Sequence, residues 1–271
     1  MSGLGRHQFA AWQGRAVSEP WALDLDGVIW RGDVPIPGAA SAVASLQAAG
    51  ARVVFVTNNS SQVVAEVEAK LGRHGIAADG VVRTSAQAAA TLVSAGERVL
   101  VCGGAGLVEA VGSVGGVAVV NEGSDPGAVD VVLCGYWRAV DYDRLRWATT
   151  SVLRGARLLA SNDDATYPGP GGLLPGGGAT LAAVERATGV AATVAGKPHP
   201  PMADWLRREL GPAGTMVGDR LDTDGLFARA LGWRFGLVLT GVTTTADGAE
   251  PAPDLVATDL AALVAAELAA G

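Results

Sequence analysis

Read for hydrophobic pattern, the chain alternates short apolar runs of strand length with longer stretches in which apolar positions recur at helical spacing. The runs Ala22 to Leu25, Arg52 to Val56, Arg98 to Cys102, Val129 to Cys134, Arg157 to Ala160, Thr215 to Val217 and Arg234 to Leu239 predict strands. Helices are expected to begin near Gly38, Ser61, Ser85, Tyr142, Gly178, Pro201 and Thr223. Ser85 opens an alanine-rich amphipathic run, and Pro200 and Pro201 suit a first turn, where the missing amide costs nothing. Near-continuous apolar strands separated by helices predict an α/β fold with a parallel sheet covered by helices, a Rossmann-like arrangement. No repeat of fixed period is present, and the 38 glycines fall mostly between periodic segments, where turns need positive φ.

Four short polar segments interrupt this pattern, each where a strand should end. In Trp21-Ala22-Leu23-Asp24-Leu25-Asp26-Gly27-Val28 an apolar strand runs into two aspartates two residues apart, positions that point the same way along a strand. Carboxylates at the carboxyl end of a parallel strand lie where open α/β sheets bind ligands, although the segment alone reads equally as a solvated turn. In Val53-Val54-Phe55-Val56-Thr57-Asn58-Asn59-Ser60 a buried strand stops at small hydrogen-bonding residues that could hold an anion, or could simply supply a helix N-cap at Ser60 or Ser61. Met216-Val217-Gly218-Asp219-Arg220-Leu221-Asp222-Thr223-Asp224 repeats the first pattern, and its oxygen-rich end suits Mg2+. Asp222 and Asp224 would also favour a helix N-terminus by their charge alone.

Composition sharpens the remaining segment, Ala195-Gly196-Lys197-Pro198. Lysine occurs only at 70 and 197, against 18 arginines, so a lysine in a glycine-proline turn points to a compact point charge that a planar guanidinium would not replace; a chance surface lysine is the competing explanation. The balance of 20 basic and 27 acidic residues gives a net charge of −7 without a basic cluster, which disfavours nucleic acid as a partner. Cys102 and Cys134 sit far apart in apolar runs and support neither a disulfide framework nor a zinc spacing, and His7, His74 and His199 are not spaced as ligands. Residues 1 to 20 lack the apolar core of a signal sequence, and no segment reaches about 18 uninterrupted apolar residues. A soluble, cytoplasmic protein that does not engage a membrane is the expectation.

The chemistry-bearing segments lie at the two ends of the chain, with a self-contained α/β pattern between them. This predicts a core of residues 1–82 and 196–271 and an inserted second domain of residues 83–195. The turn Val101-Cys102-Gly103-Gly104-Ala105-Gly106-Leu107 follows a strand and opens a helix, but it lacks the third glycine of a dinucleotide site and reads as close helix-to-strand packing.

Asp24-Leu25-Asp26-Gly27-Val28, Thr57-Asn58-Asn59, Gly196-Lys197-Pro198 and Gly218-Asp219-Arg220-Leu221-Asp222-Thr223-Asp224 together resemble the four motifs of haloacid dehalogenase superfamily phosphatases. The long insert is similar to the type 2 cap of class IIA, the 4-nitrophenylphosphatase or NagD-like branch, which includes phosphoglycolate, glycerol phosphate and pyridoxal phosphate phosphatases. The likeness extends through Arg31-Gly32-Asp33-Val34-Pro35-Ile36-Pro37-Gly38 and Leu239-Thr240-Gly241-Val242 and departs at Gly225, where the family usually has isoleucine.

The resemblance implies Mg2+-dependent hydrolysis of a small phosphate monoester. Asp24 would be the nucleophile that forms an aspartyl-phosphate, and Asp26 the general acid and then base. Mg2+ would be held by Asp24, the Asp26 carbonyl and Asp219, with Asp224 supporting the metal waters or Lys197. Thr57, Asn58, Asn59 and Lys197 would bind the phosphoryl group. Asn162, Asp163 and Tyr167, in a polar segment that could equally be an exposed loop, would contact the rest of the substrate, and a homodimer through the insert is expected from relatives. Trp137 reads as core or dimer contact before aromatic platform. A phosphotransferase or mutase using the same intermediate, and a binding protein without turnover, are the alternatives.

Overall fold

The computed structural model describes residues 19–169 and 172–270, so most of the segment 1 to 20, His7 included, lies outside the described residues. Two parallel sheets organise the chain. The six-stranded sheet runs in the order Leu255–Ala257, Arg234–Val238, Thr215–Gly218, Trp21–Leu23, Val53–Thr57 and Val82–Thr84, every pair parallel. The five-stranded sheet runs Thr193–Val194, Arg157–Ala160, Val131–Cys134, Arg98–Cys102 and Val117–Val120, again parallel throughout. The fold is α/β, as the alternation of runs predicts. The expected break between 82 and 83 falls inside the strand Val82–Thr84 of the first sheet.

Alternation along each strand explains why the runs are apolar without interruption. Trp21, Leu23, Val53 and Phe55 face one side of the six-stranded sheet, against the helices Ala39–Ala48 and Leu260–Ala270. Ala22, Val54, Val56 and Met216 face the other side and join a cluster that continues into Val99, Val101, Val131 and Leu133 of the second sheet. Leu100, Cys102, Val132, Cys134 and Ala160 form the far layer together with Trp137, which is thereby a core residue. A strand buried on both faces has no polar positions to show. Each fully buried large side chain, Phe55 among them, contributes about 2 kcal/mol of transfer free energy.

The alanine-rich helix Ser85–Ala90 sits where the two sheets meet and starts at a capping box, with Gln87 N donating to Thr84 Oγ1 at 3.2 Å and Thr84 N to Gln87 Oε1 at 2.9 Å. Its small side chains allow the shared layer to close. The glycine-rich turn is also a close contact, but with a loop rather than a strand. A Cβ on Gly106 would lie 2.2 Å from Gln62 O, and one on Gly104 2.5 Å from Ser61 O.

Two expected helix starts move. The helix expected near Ser61 begins at Val64, because Asn59 Oδ1 takes Ser61 N and Ser61 Oγ in a local turn and Ser60 Oγ is engaged by Ser161; neither serine is an N-cap. The helix expected from Thr223 begins as a π-helical turn over Leu221–Gly225, with Gly225 N donating to Arg220 O at 3.0 Å, before Leu226–Leu231 continues as α-helix. Strands at Val117–Val120, Thr193–Val194 and Leu255–Ala257, and the hairpins Trp30–Arg31/Val34–Pro35 and Thr166–Gly169/Gly172–Pro175, are too short or too irregular to read from periodicity.

Gly225 has a steric reason. A Cβ there would stand 2.9 Å from Pro251 Cγ and 3.1 Å from Phe235 Cε1. Gly225→Ile should therefore cost about 1–3 kcal/mol by overpacking, read as a lowered urea midpoint with an unchanged slope; a rise in the midpoint would show that Pro251 moves aside freely.

Candidate active site

The three central strands Val53–Thr57, Trp21–Leu23 and Thr215–Gly218 end side by side, and their carboxyl ends carry Thr57, Asp24 and Asp219. Asp24 leaves the sheet with its amide still donating to Val217 O at 2.9 Å, which locks the start of its loop to the neighbouring strand. Lys197, 2% exposed, arrives from the turn before the helix Pro200–Leu210. Its Nζ donates to Asp24 Oδ1 at 2.7 Å and to Asp224 Oδ1 at 2.6 Å. Residues 24, 197, 219 and 224, far apart in sequence, thus converge. Lysine at 197 is a buried point charge and not a surface accident.

Asp24, Asp219 and Asp224 each offer a carboxylate oxygen within 4.8 Å of the others. Asp224 is the most committed of the three: its Oδ2 accepts from the amides of Asp219 and Arg220, both at 3.2 Å, while Oδ1 is taken by Lys197. The π-helical turn brings this side chain inward, and Asp222 stays outside, paired with Arg220. Asp219 Oδ2 accepts from Val242 N at 2.5 Å. Asp26 lines the same cavity but stands apart from the carboxylate cluster, accepting a hydrogen bond from Trp30 Nε1 at 3.0 Å.

Three carboxylates around one ammonium leave the cluster anionic. Burial pushes the Asp24 carboxyl well above the ordinary carboxylate range; Lys197 opposes that rise, and Asp224 and Asp219 add to it. Asp219 is pushed up to about 6, by burial first and by the charge of Asp224 second. Burial works against the charge of Lys197, yet Asp224 and Asp24 more than offset it and hold the ammonium protonated. Asp26 opens to the cavity, but protein around it withholds enough water to raise its pKa, with Lys70 and the Trp30 hydrogen bond opposing. A hard divalent cation is the group this donor set fits, since it relieves carboxylates that one ammonium cannot neutralise. Bare glycines leave the Asp219 carboxylate room: a Cβ on Gly241 would lie 1.8 Å from Asp219 Oδ2, and one on Gly27 2.5 Å from Asp219 Cγ.

Asn58 binds the site together. Its Oδ1 accepts from Lys197 N at 2.9 Å, and its Nδ2 donates to Lys197 O at 2.9 Å and to Asp164 Oδ2 at 3.0 Å. Its own carbonyl receives Ser85 Oγ at 2.7 Å and Asn162 Nδ2 at 2.8 Å. Thr57 Oγ1 accepts from Asn59 N at 3.1 Å, and Asn59 shapes the turn through Ser61 and Gln62.

A cavity of about 610 Å³ opens over these groups, lined on its far side by Tyr136, Asp164, Thr166, Tyr167 and Leu173 from the region between the two ends of the chain. Of the substrate-contacting residues expected there, Tyr167 lines the cavity, its hydroxyl bonded to that of Tyr136. Asn162 also lines it, although buried and tied to Asn58. Asp163 is outside the lining; it points to His199 at 3.0 Å, and its neighbour Asp164 faces in. The sequence pattern alone does not single out Trp30, Tyr136 or Asp164. Tyr136 carries a signal, a polar aromatic just past a strand end, but its neighbour Trp137 carries a similar one.

Comparison with known proteins agrees with this geometry. The family described as haloacid dehalogenase-like hydrolase matches residues 21–116, and that described as HAD-hydrolase-like matches residues 194–263. D-glycerol 3-phosphate phosphatase of Mycobacterium tuberculosis is 40% identical over 251 residues, covering 89% of this chain and 69% of that protein. The crystal structure of glycerol phosphate phosphatase from the same organism in complex with magnesium superposes with a TM-score of 0.82 at 37% identity, covering 93% of this chain and 78% of that one. The 4-nitrophenylphosphatase of Thermotoga maritima gives a TM-score of 0.83 at 31% identity, covering 92% and 97%.

Because Gly241 leaves the space that Asp219 occupies, Gly241→Ala should displace that carboxylate and weaken Mg2+ binding by about tenfold or more. Calorimetric titration would measure this, with circular dichroism as the check on folding; unchanged affinity would remove Asp219 from the cation site.

Proposed function

The chain belongs to the haloacid dehalogenase-like hydrolases and is a phosphatase of that family; from this premise we propose that it hydrolyses small phosphate monoesters through an aspartyl-phosphate on Asp24, with Mg2+ as cofactor and polyol phosphates of the glycerol phosphate kind as substrates. The observation that carries the reading is the contact of Lys197 Nζ with Asp24 Oδ1 at 2.7 Å, inside a carboxylate cluster that lines the cavity. The identity of 40% to a D-glycerol 3-phosphate phosphatase supports the substrate class.

The electrostatics sets what each group must do. A carboxylate brought to about 4 Å from a phosphate dianion is repelled by roughly 8 kcal/mol at an effective dielectric near 20. Lys197, already on Asp24, offsets a comparable amount when it meets the phosphoryl oxygens. Asp224 holds that ammonium from the other side. Asp24, Asp219 and the Asp26 carbonyl would hold Mg2+, which supplies the remaining positive charge around the transferred group. Thr57 and the Asn58 amide place the phosphoryl group, and Asn59 fixes their loop.

In the first half-reaction a carboxylate oxygen of Asp24 bonds to phosphorus, the ester P–O bond breaks, and Asp26 gives its proton to the departing oxygen. In the second, the Asp26 carboxylate takes a proton from water as that water attacks the aspartyl-phosphate, which releases orthophosphate and restores Asp24. The raised pKa of Asp26 suits a group that must hold a proton before it gives it away.

In this reading residues 83–195 form a cap over a core of residues 1–82 and 196–271, and Tyr136, Asp164, Tyr167 and Leu173 are the wall that meets the alcohol part of the substrate. The reading also makes the protein a cytoplasmic homodimer joined through the cap and acting on small molecules, not on nucleic acid or membranes. The exposed valines of the edge strand Val117–Val120 and the net charge of −7 support this, and among the described residues no helix is long and apolar enough to cross a membrane.

Asp24→Asn should abolish phosphate release from glycerol 3-phosphate with the fold intact by circular dichroism; full turnover in that variant would refute the nucleophile. Chelation by EDTA should stop the wild-type enzyme and excess Mg2+ restore it. Isomerised ester with negligible free phosphate would instead identify a mutase.

A further inference from the structure

Asp26 is held from one side. Trp30 Nε1 donates to Asp26 Oδ1 at 3.0 Å, and among the described residues this is the one hydrogen bond to the carboxyl. The backbone sets up the contact: Gly27 N donates to Trp30 O at 2.7 Å and Asp26 bridges to Trp30, so the chain folds back and brings the indole four residues on against the carboxylate. Trp30 is 3% exposed, so its ring cannot swing away. Lys70 closes it in, with Nζ 4.2 Å from the ring centroid and donating to Gly32 O at 2.6 Å. Lys70 is the second of the chain's two lysines, and both therefore stand at this site.

We propose that Trp30 is a positioning residue for the general acid, with Lys70 as its brace, an inference that rests on the reading of Asp26 given above. An indole N–H can only donate. A carbonyl oxygen accepts better than a hydroxyl oxygen, so Oδ1 meets Trp30 as the carbonyl and the transferable proton favours Oδ2. The oxygen that carries the proton is thus the one without a protein partner, on a residue that lines the cavity. Without the indole the carboxyl would rotate, and the proton would be shared between two oxygens, only one of which can reach the leaving group. The cation over the ring also polarises the indole, strengthening the N–H as a donor.

The inference has a signature that loss of structure does not share. An alkoxide needs a proton as it leaves, whereas 4-nitrophenolate does not. Trp30→Phe keeps an aromatic ring under Lys70 and in the core but removes the donor. Its kcat/KM, which reports the half-reaction in which the ester bond breaks, should fall about tenfold on glycerol 3-phosphate, a part of what general acid catalysis supplies, and less than about twofold on 4-nitrophenyl phosphate. Asp26→Asn should show the same selectivity, more strongly. Equal losses on the two esters, or no loss on either, would overturn the role of Trp30. Should Trp30→Phe fail to fold, Lys70→Met leaves the indole in place and removes its brace; it should show the same ranking at a few-fold scale, and equal or absent losses there would overturn the inference in the same way. A wild-type enzyme inactive on both esters, or an Asp24→Asn variant that turns over normally, would instead bring down the reading of the site as a whole.

Discussion

A buried ammonium bracketed by two buried carboxylates fixes the site. Lys197 is 2% exposed, and its nitrogen touches Asp24 at 2.7 Å and Asp224 at 2.6 Å. Removing such a charge from water costs several kcal/mol, which only near-ideal partners return, and taking one partner away leaves a buried charge unanswered. The two aspartates are not equivalent. Asp224 is held at both oxygens, by Lys197 and by the amides of residues 219 and 220, and so behaves as a fixed support. Asp24 shares Oδ1 with Lys197, and among the described residues its Oδ2 accepts no hydrogen bond.

That arrangement needs the backbone of distant segments to be held in register, and Asn58 does much of this. Both polar ends of its side chain bind the backbone of Lys197, and its carbonyl receives side chains from Ser85 and Asn162. Ser85 lies where the chain leaves the six-stranded sheet, and Asn162 just past the strand Arg157–Ala160 of the five-stranded sheet. A Cβ on Gly196 would be 2.6 Å from Asn58 Oδ1 and 2.4 Å from Ser161 O, so the return pass leaves no room for a side chain. The positions of the lysine and of the far wall of the cavity are therefore set by one amide, and a substrate spanning the cavity meets groups that share a common anchor.

This division explains what could be read in the sequence. Asp24, Asp26, Thr57 and Asp219 were legible because strand ends are predictable from apolar runs, and polar residues stacked at several strand ends are unlike ordinary turns; Lys197 stood out by the rarity of lysine. The α/β class was legible for the same reason. Past the strand ends, local sequence stops deciding direction. Asp163 and Asp164 differ only in which way a loop points, and a contact with Asn58, 106 residues away, selects Asp164. Ser60 has the composition of an N-cap, but Ser161, 101 residues away, takes its hydroxyl instead. Tyr136 and Trp137 alternate between cavity and core by strand-end geometry that no residue type announces. Gly225 is explained by Pro251 and Phe235, neither of them near in sequence.

The use of lysine against arginine follows from the same geometry. Arginine serves where its planar fork matches a single carboxylate, as between Arg83 and Glu209. At 197 one nitrogen reaches single oxygens of two different aspartates. A guanidinium spreads its donors over a plane and would have to push the aspartates apart, moving Asp24 relative to Asp219 and opening the cation site. The ammonium has three tetrahedral donors, of which two are engaged by Asp24 and Asp224 and the third has no partner among the described residues.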